Sequence, residues 1–171
     1  GPLIDEEATR KVLRYVEQGR REARLVLQSD VSHLKTGHYV GPTVFADVPP
    51  AAIIAQEEIF GPVLAVLRAA EFEEALEIAN GTEYALTGGL YSRSPAHIER
   101  AKAAFRVGNL YINRKITGAI VGRQPFGGLK MSGIGSKAGG PDYLLQFMEP
   151  RTITENTLRH VPPASALRKT P

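Results

Sequence analysis

The chain contains segments in which apolar residues recur at the spacing of an amphipathic α-helix. In the first segment they occupy positions i, i+4, i+7 and i+8, which predicts one buried helical face: Ala8, Val12, Tyr15 and Val16. Asp5 is a suitable N-cap for this helix, and we expect Gly19 to end it. The same spacing predicts a second helix over residues 71–80. A Ser-Pro pair predicts the start of a third helix at Ser94.

Short apolar runs between these helices predict β-strands. They cover residues 25–27, 39–45, 59–67, 86–91 and 107–112. The run at 63–67 has no polar alternation, which is typical of a strand that is covered on both faces. Strands and helices alternate with short connections, and this order predicts an α/β fold with a parallel sheet. After it we expect a small helix at 141–148 and an edge strand at 151–155.

Composition narrows the functional classes. The 171 residues contain no cysteine, which excludes disulfides, thiolate metal sites and a cysteine nucleophile within this chain. The four histidines show no metal-ligand spacing. A net charge of +3 is too small to indicate nucleic-acid binding by itself. Because no apolar run is long enough to cross a membrane and the chain begins with no signal peptide, we expect a cytoplasmic protein.

Residues 113–140 differ from the rest of the chain. This segment holds 8 of the 17 glycines and five basic residues, but no acidic residue. Glycines leave backbone N–H groups accessible, and such groups bind oxyanions. A long loop after a buried parallel strand is also a usual place for a ligand site. We therefore interpret the segment as an anion-binding loop, with an ordinary solvated loop as the alternative.

Three stretches together resemble the aldehyde dehydrogenase superfamily. They are GHYVGPTVFADV at 37–48, QEEIFGPVLAV at 56–66 and GNLYINRKITGAIVGRQPFGGLKMSGIG at 108–135. The segment TGAIVGRQPFGG at 117–128, together with KAGGPDYLLQFMEPRTITENT at 137–157, resembles the Δ1-pyrroline-5-carboxylate dehydrogenase branch of that superfamily. The resemblance covers residues 1–157 and implies the C-terminal part of the three-layer, parallel-sheet catalytic domain. It implies that residues 1–150 belong to that domain and that 151–171 form a strand and tail related to oligomerisation.

The resemblance also implies an activity. Members of this branch oxidise L-glutamate γ-semialdehyde to L-glutamate with NAD⁺, in the last step of proline degradation. A cysteine and an NAD-binding domain, which precede this region in the family, have no counterpart here, so we expect the isolated chain to be inactive. The implied partners are the small-molecule substrate and further copies of the full-length protein, without nucleic acid or membrane.

Individual site residues follow from the same resemblance. Glu58 matches the glutamate that accepts hydrogen bonds from the nicotinamide ribose, and Phe60 matches the aromatic residue beside that ribose. Gly118 and Ala119 match the backbone that anchors the substrate's α-carboxylate, and Phe126 matches the aromatic residue on its aliphatic chain. For Phe60 a plain core aromatic remains the alternative. We interpret a further set of motif residues as loop-ordering and not catalytic: Asn113, Lys130 and Ser132.

Two other functional classes remain open. The missing cysteine fits a non-catalytic, aldehyde-dehydrogenase-like assembly module. The basic, Gly-rich loop fits a module that binds phosphate or nucleic acid, although Phe126 is its only aromatic residue and stacking platforms need several.

Overall fold

The computed structural model describes residues 1–157, in which helices and strands alternate. In chain order they are α1 (Glu6–Glu22), β1 (Arg24–Gln28), β2 (Thr43–Ala46), α2 (Ile53–Gln56), β3 (Val63–Ala65), α3 (Phe72–Asn80), β4 (Tyr84–Ala85), β5 (Thr87–Leu90), α4 (Pro95–Ala104), β6 (Asn109–Ile112), β7 (Leu129–Lys130) and a 3-10 helix (Tyr143–Phe147). The α/β class is confirmed. Within this part of the chain, no helix has both the length and the apolar content that crossing a membrane requires.

The strands are divided among three small sheets. The first has the order β1-β2-β3, with β1 antiparallel to β2 and β2 parallel to β3. In the second, β5 runs parallel to β6, and in the third β4 pairs with β7 antiparallel. The expectation of one parallel sheet is therefore met in two strand pairs only. Parallel neighbouring strands need a crossover connection, which is usually a helix. No helix separates β1 from β2, and the chain returns in β2 antiparallel to β1.

The main hydrophobic core lies between α1 and the first sheet. Its central side chains are Val12 and Val16 from α1 and Phe45 from β2, all almost completely buried. The predicted apolar stripe of the first helix thus faces the core. The predicted end of this helix at Gly19 is wrong, because the helix continues to Glu22.

The helix starts agree with the sequence prediction. An Asp5 side-chain oxygen accepts a hydrogen bond from the Ala8 N–H at 2.7 Å, and the Ser94 hydroxyl oxygen accepts one from the His97 N–H at 3.3 Å. Asn80 joins the end of α3 to the end of α4. Its side chain donates to the Ala104 carbonyl and accepts from the Arg106 N–H.

Two strand predictions differ from the structure. Leu64 and Val66, expected in a strand covered on both faces, are 56% and 42% exposed. The reason is that α1 packs on the first sheet, while no element of residues 1–157 covers Leu64. Residues 151–157 form neither helix nor strand. A strand exists only where another strand pairs with it, and the sheets described end at Lys130.

Candidate functional site

The segment between α2 and β3 presents two of the predicted site residues. Ile59 is buried in the main core, and this anchors the segment. Glu58 and Phe60, on either side of it, are exposed, and Phe60 shows 81% of its surface. Within residues 1–157, Phe60 therefore lies outside the hydrophobic core. Glu58 and Phe60 are thus two exposed side chains, separated by one buried residue, on one short segment, as a shared ligand would require.

The backbone of Phe60 is strained. Its φ is +58°, in the left-handed region that non-glycine residues rarely adopt. Such a conformation costs about 1–3 kcal/mol and persists only when surrounding contacts hold it. Strain of this kind is typical of ligand contacts. The exposed ring has no core packing that would explain the conformation.

Helix α1 holds this segment from the other side. The Lys11 ammonium donates to the Glu58 carbonyl oxygen at 2.9 Å, and the Tyr15 hydroxyl donates to a Glu57 carboxylate oxygen at 2.5 Å. This hydrogen bond, reinforced by burial, raises the pKa of Tyr15 above its ordinary value of 10.0. The Glu58 carboxylate itself has no hydrogen-bond or ion-pair partner within residues 1–157. It is therefore available to accept hydrogen bonds from a ligand.

Glu58 also borders a cleft between residues 55–58 and a set of residues from 79 to 132. The cleft has a volume of about 340 Å³. Its polar lining includes Glu57, Glu58, Thr82, Tyr84 and Ser132. A volume of this size is within the usual range for small-molecule sites.

Two lysines of the Gly-rich loop bind backbone carbonyl groups, one outside the loop and one within it. The Lys130 ammonium donates to the carbonyl oxygens of Asn80 and Thr82, each at 2.7 Å. The Lys137 ammonium donates to the Gly127 carbonyl oxygen at 2.6 Å. Two of the five cations predicted to attract an anion are thus structural. The remaining basic side chains of the loop are Arg114, Lys115 and Arg123.

Asn109 fixes the backbone on both sides of Phe126. Its side chain donates to the Pro125 carbonyl at 2.9 Å and accepts from the Gly127 N–H at 3.1 Å. Phe126 also exchanges two backbone hydrogen bonds with Ala138, both at 2.9 Å. Its side chain is partly exposed, on a backbone that these hydrogen bonds hold in place. These are the properties that a residue packing on a substrate chain needs.

The turn at Gly118 and Ala119 exposes two backbone donors. Gly118 has a φ of +84°, and a side chain added there would meet no atom within 4 Å. Neither N–H of this pair donates to an acceptor in the part of the chain that the structure describes. The nearby Arg114 guanidinium approaches the Thr117 carbonyl at 3.4 Å and lies 5.3 Å from the Tyr111 ring centre. Free donors beside cations, without an acidic residue in the loop, suit a carboxylate.

The prediction that Asn113, Lys130 and Ser132 order the loop is confirmed. The Asn113 side chain accepts from the Ser92 N–H and donates to the Ser92 carbonyl. The Ser132 hydroxyl oxygen accepts from the Ala85 N–H at 3.0 Å. All three groups therefore bind other parts of the protein.

The structure sorts the predicted residues into two groups. Glu58 and Phe60 share one segment, while Gly118, Ala119 and Phe126 share one loop. No hydrogen bond joins the two groups within residues 1–157, and the cleft beside Glu58 is not lined by the three loop residues. Sequence reasoning missed Lys11, the hydroxyl of Tyr15, and Asn109. Their partners lie far along the chain, and no local pattern reports such contacts.

Known proteins are similar to this chain over most of its length. Residues 1–153 match the model of the aldehyde dehydrogenase family. The chain is 56% identical over 155 residues to 1-pyrroline-5-carboxylate dehydrogenase 1 of Halalkalibacterium halodurans, which covers 91% of this chain and 30% of that protein. It is 54% identical over 155 residues to 1-pyrroline-5-carboxylate dehydrogenase 2 of Bacillus subtilis, with the same coverage of 91% and 30%.

Solved structures show the same similarity. The Thermus 1-pyrroline-5-carboxylate dehydrogenase with bound NAD has a TM-score of 0.83 and 57% identity, over 87% of this chain and 29% of that one. Proline utilization A from Bdellovibrio bacteriovorus has a TM-score of 0.88 and 57% identity, over 93% and 16%. The chain spans about 30% of the length of the curated relatives it matches. The family match and the relatives together show that this chain belongs to the aldehyde dehydrogenase family.

Proposed function

We propose that this chain is part of an NAD-dependent enzyme that oxidises L-glutamate γ-semialdehyde to L-glutamate, the last step of proline degradation. The observation that carries the proposal is the pair of unpartnered N–H groups at Gly118 and Ala119. They lie in an acid-free loop beside Arg114 and ahead of the partly exposed ring of Phe126. The relatives named 1-pyrroline-5-carboxylate dehydrogenase support the same substrate class.

In this proposal the segment at 57–61 contacts the cofactor. The ionised Glu58 carboxylate only accepts hydrogen bonds, so it suits two ribose hydroxyls, and Phe60 packs its exposed ring beside that sugar. When NAD⁺ is bound, it supplies the acceptor for a hydride. The chain's own task is to orient the ribose, because alignment of the reacting atoms governs the rate of transfer.

The Gly-rich loop binds the substrate. The N–H groups of Gly118 and Ala119 donate to the α-carboxylate, and Phe126 packs on the methylene groups between that carboxylate and the aldehyde. Because the 171 residues contain no cysteine, the nucleophile that attacks the aldehyde comes from outside this sequence. We include in the proposal the division into residues 1–150 and 151–171, a homo-oligomeric assembly and a cytoplasmic location.

A chimeric enzyme tests this function. In the H. halodurans relative, the 155 matched residues are replaced by those of this chain, and NADH formation from glutamate semialdehyde is measured. We expect turnover within about tenfold of the parent enzyme, and none from the 171-residue chain alone. A correctly folded chimera that binds NAD⁺ but does not oxidise the semialdehyde would contradict the proposal. It would favour the non-catalytic assembly module, to which the missing cysteine points.

A further inference from the structure

Three residues on one face of α1 contact the segment that carries Glu58 and Phe60. Lys11 and Tyr15 lie one helical turn apart, and their terminal groups bind the Glu58 carbonyl and the Glu57 carboxylate. Between them, Val12 lies so close to Gly61 that an added side chain would stand 2.5 Å from its Cγ2 atom. Helix α1 therefore contacts the segment at both ends.

These contacts lie before and after the strained residue along the chain. Phe60, with its φ of +58°, follows the two residues that Lys11 and Tyr15 bind and precedes the one that Val12 contacts. A left-handed non-glycine residue needs such contacts on both sides, because an unconstrained chain would relax to an ordinary conformation. The direction in which Phe60 and Glu58 project thus depends on α1.

The hydroxyl of Tyr15 distinguishes this role from simple core packing. The Tyr15 ring extends the apolar stripe of α1, and phenylalanine would satisfy that packing equally. The hydroxyl instead donates to Glu57, a residue that borders the same cleft as Glu58. The bond crosses 42 positions of sequence and links α1 directly to the residue before Glu58.

We propose that Tyr15, acting through Glu57, is a positioning residue that fixes Glu58 and Phe60 for contact with the nicotinamide ribose. The inference rests on the proposed function and adds a residue that does not itself touch the ligand. Lys11 assists by holding the Glu58 carbonyl, which leaves the Glu58 carboxylate free for the sugar.

The test compares Tyr15→Phe with Tyr91→Phe in the chimeric enzyme. Both changes remove only a hydroxyl, but Tyr91 is 70% exposed and lies outside the site. Tyr15→Phe should raise KM for NAD⁺ by about fivefold, the loss expected for one hydrogen bond, and leave KM for the semialdehyde within about twofold. Tyr91→Phe should change neither constant. An unchanged KM for NAD⁺ in Tyr15→Phe would overturn the inference.

A second pair of variants separates positioning from folding. Glu57→Gln keeps an oxygen that accepts from the Tyr15 hydroxyl, whereas Glu57→Ala removes it. The Gln variant should retain most of the NAD⁺ affinity that the Ala variant loses. Equal losses in both variants would show that the Tyr15–Glu57 hydrogen bond has no positioning role.

Amide hydrogen exchange in the 171-residue chain gives a readout that needs no activity. Tyr15→Phe should speed exchange of the Glu57 N–H, which donates to the Ile53 carbonyl at 2.9 Å, by about fivefold without changing exchange in α4. If the unmodified chimera fails to oxidise the semialdehyde, the proposed function fails, and exchange alone decides whether Tyr15 fixes the segment. Unchanged exchange of the Glu57 N–H would then overturn the inference.

Discussion

The ring of Phe45 fills the space that a side chain on Gly19 would occupy. A Cβ atom at residue 19 would lie 2.7 Å from two carbons of that ring, and Phe45 is completely buried. The missing side chain lets α1 approach β2 closely. The helix continues past Gly19 to Glu22, so this glycine permits the close approach to β2 and does not end the helix.

Replacing Gly19 by alanine should therefore destabilise the protein. Alanine improves helix propensity by about 1 kcal/mol, but overpacking a closed core costs about 1–3 kcal/mol. We expect a net loss of about 1 kcal/mol in the free energy of unfolding, measured by urea denaturation. Gly1→Ala, where no atom lies within 4 Å, is the matched control and should be neutral. A stabilised Gly19→Ala variant would mean that the Phe45 ring moves freely.

Gly19 of α1 is a residue whose role could not be predicted from the sequence. The caps at Asp5 and Ser94 were predictable because the acceptor and its N–H donor lie three residues apart. The role of Gly19 was not, since a glycine near the end of an apolar stripe looks the same whether it ends the helix or admits a ring. A helix cap is formed by residues close together in the sequence and can be predicted from it. The close contact between Gly19 and Phe45 joins residues far apart in the sequence and cannot.

In the candidate site, too, some features could be predicted from the sequence and others could not. Its residues were predicted by resemblance, and the structure adds how they are held. Residues 113–140 differ from the rest of the chain in having five basic and no acidic residues. Two of these basic residues, Lys130 and Lys137, nevertheless bind backbone carbonyls of the protein. Likewise, the periodicity that placed Tyr15 on a buried face says nothing of its hydroxyl. A count of charges or apolar positions cannot report which partner a side chain reaches.

The carboxylate of Glu22 should make stability depend on pH. It accepts from the N–H groups of Ile53 and Ile54 at the start of α2, at 3.1 and 3.3 Å. Partial burial acts to raise the pKa of Glu22. The hydrogen bonds from Gln18, Ile53 and Ile54 outweigh it, so the pKa lies below the ordinary 4.5. A lowered folded-state pKa means stability that is present above pH 4.5 and lost as the pH falls through the lowered value.

Glu22→Gln removes this dependence. The amide oxygen still accepts one hydrogen bond, so we expect a loss of about 1 kcal/mol at pH 7. The difference between the two proteins should shrink as the pH falls from 4.5 through the lowered pKa of Glu22, where the folded wild-type carboxylate becomes protonated. Urea denaturation at several pH values measures this. A difference that stays constant down to the most acidic condition would show that the charge of Glu22 plays no part.

Replacing Glu58 by glutamine should slow the chimeric enzyme. An amide oxygen accepts more weakly than a carboxylate, and losing one charge-assisted hydrogen bond costs about 1.5–3 kcal/mol. Because the bond orients the nicotinamide ribose, kcat at saturating NAD⁺ should fall by about tenfold or more, with a smaller change in KM for the semialdehyde. Steady-state kinetics with each substrate varied gives both constants. Unchanged turnover would show that Glu58 is only a turn residue.

The N–H groups of Gly118 and Ala119 should determine specificity. Ala119→Pro removes one of the two donors and restricts the turn, whereas Ala119→Gly keeps the donor and is the matched control. Losing one hydrogen bond to the substrate carboxylate costs about 1.5–3 kcal/mol of binding free energy. We therefore expect kcat/KM for glutamate semialdehyde to fall at least about tenfold in the proline variant. A simple aliphatic aldehyde has no carboxylate and should be affected much less.

The observable is therefore the ratio of kcat/KM for the two aldehydes, measured in the chimeric enzyme. An equal fall for both would mean that the turn only supports the loop, and the assignment of glutamate semialdehyde as substrate would lose its main physical argument.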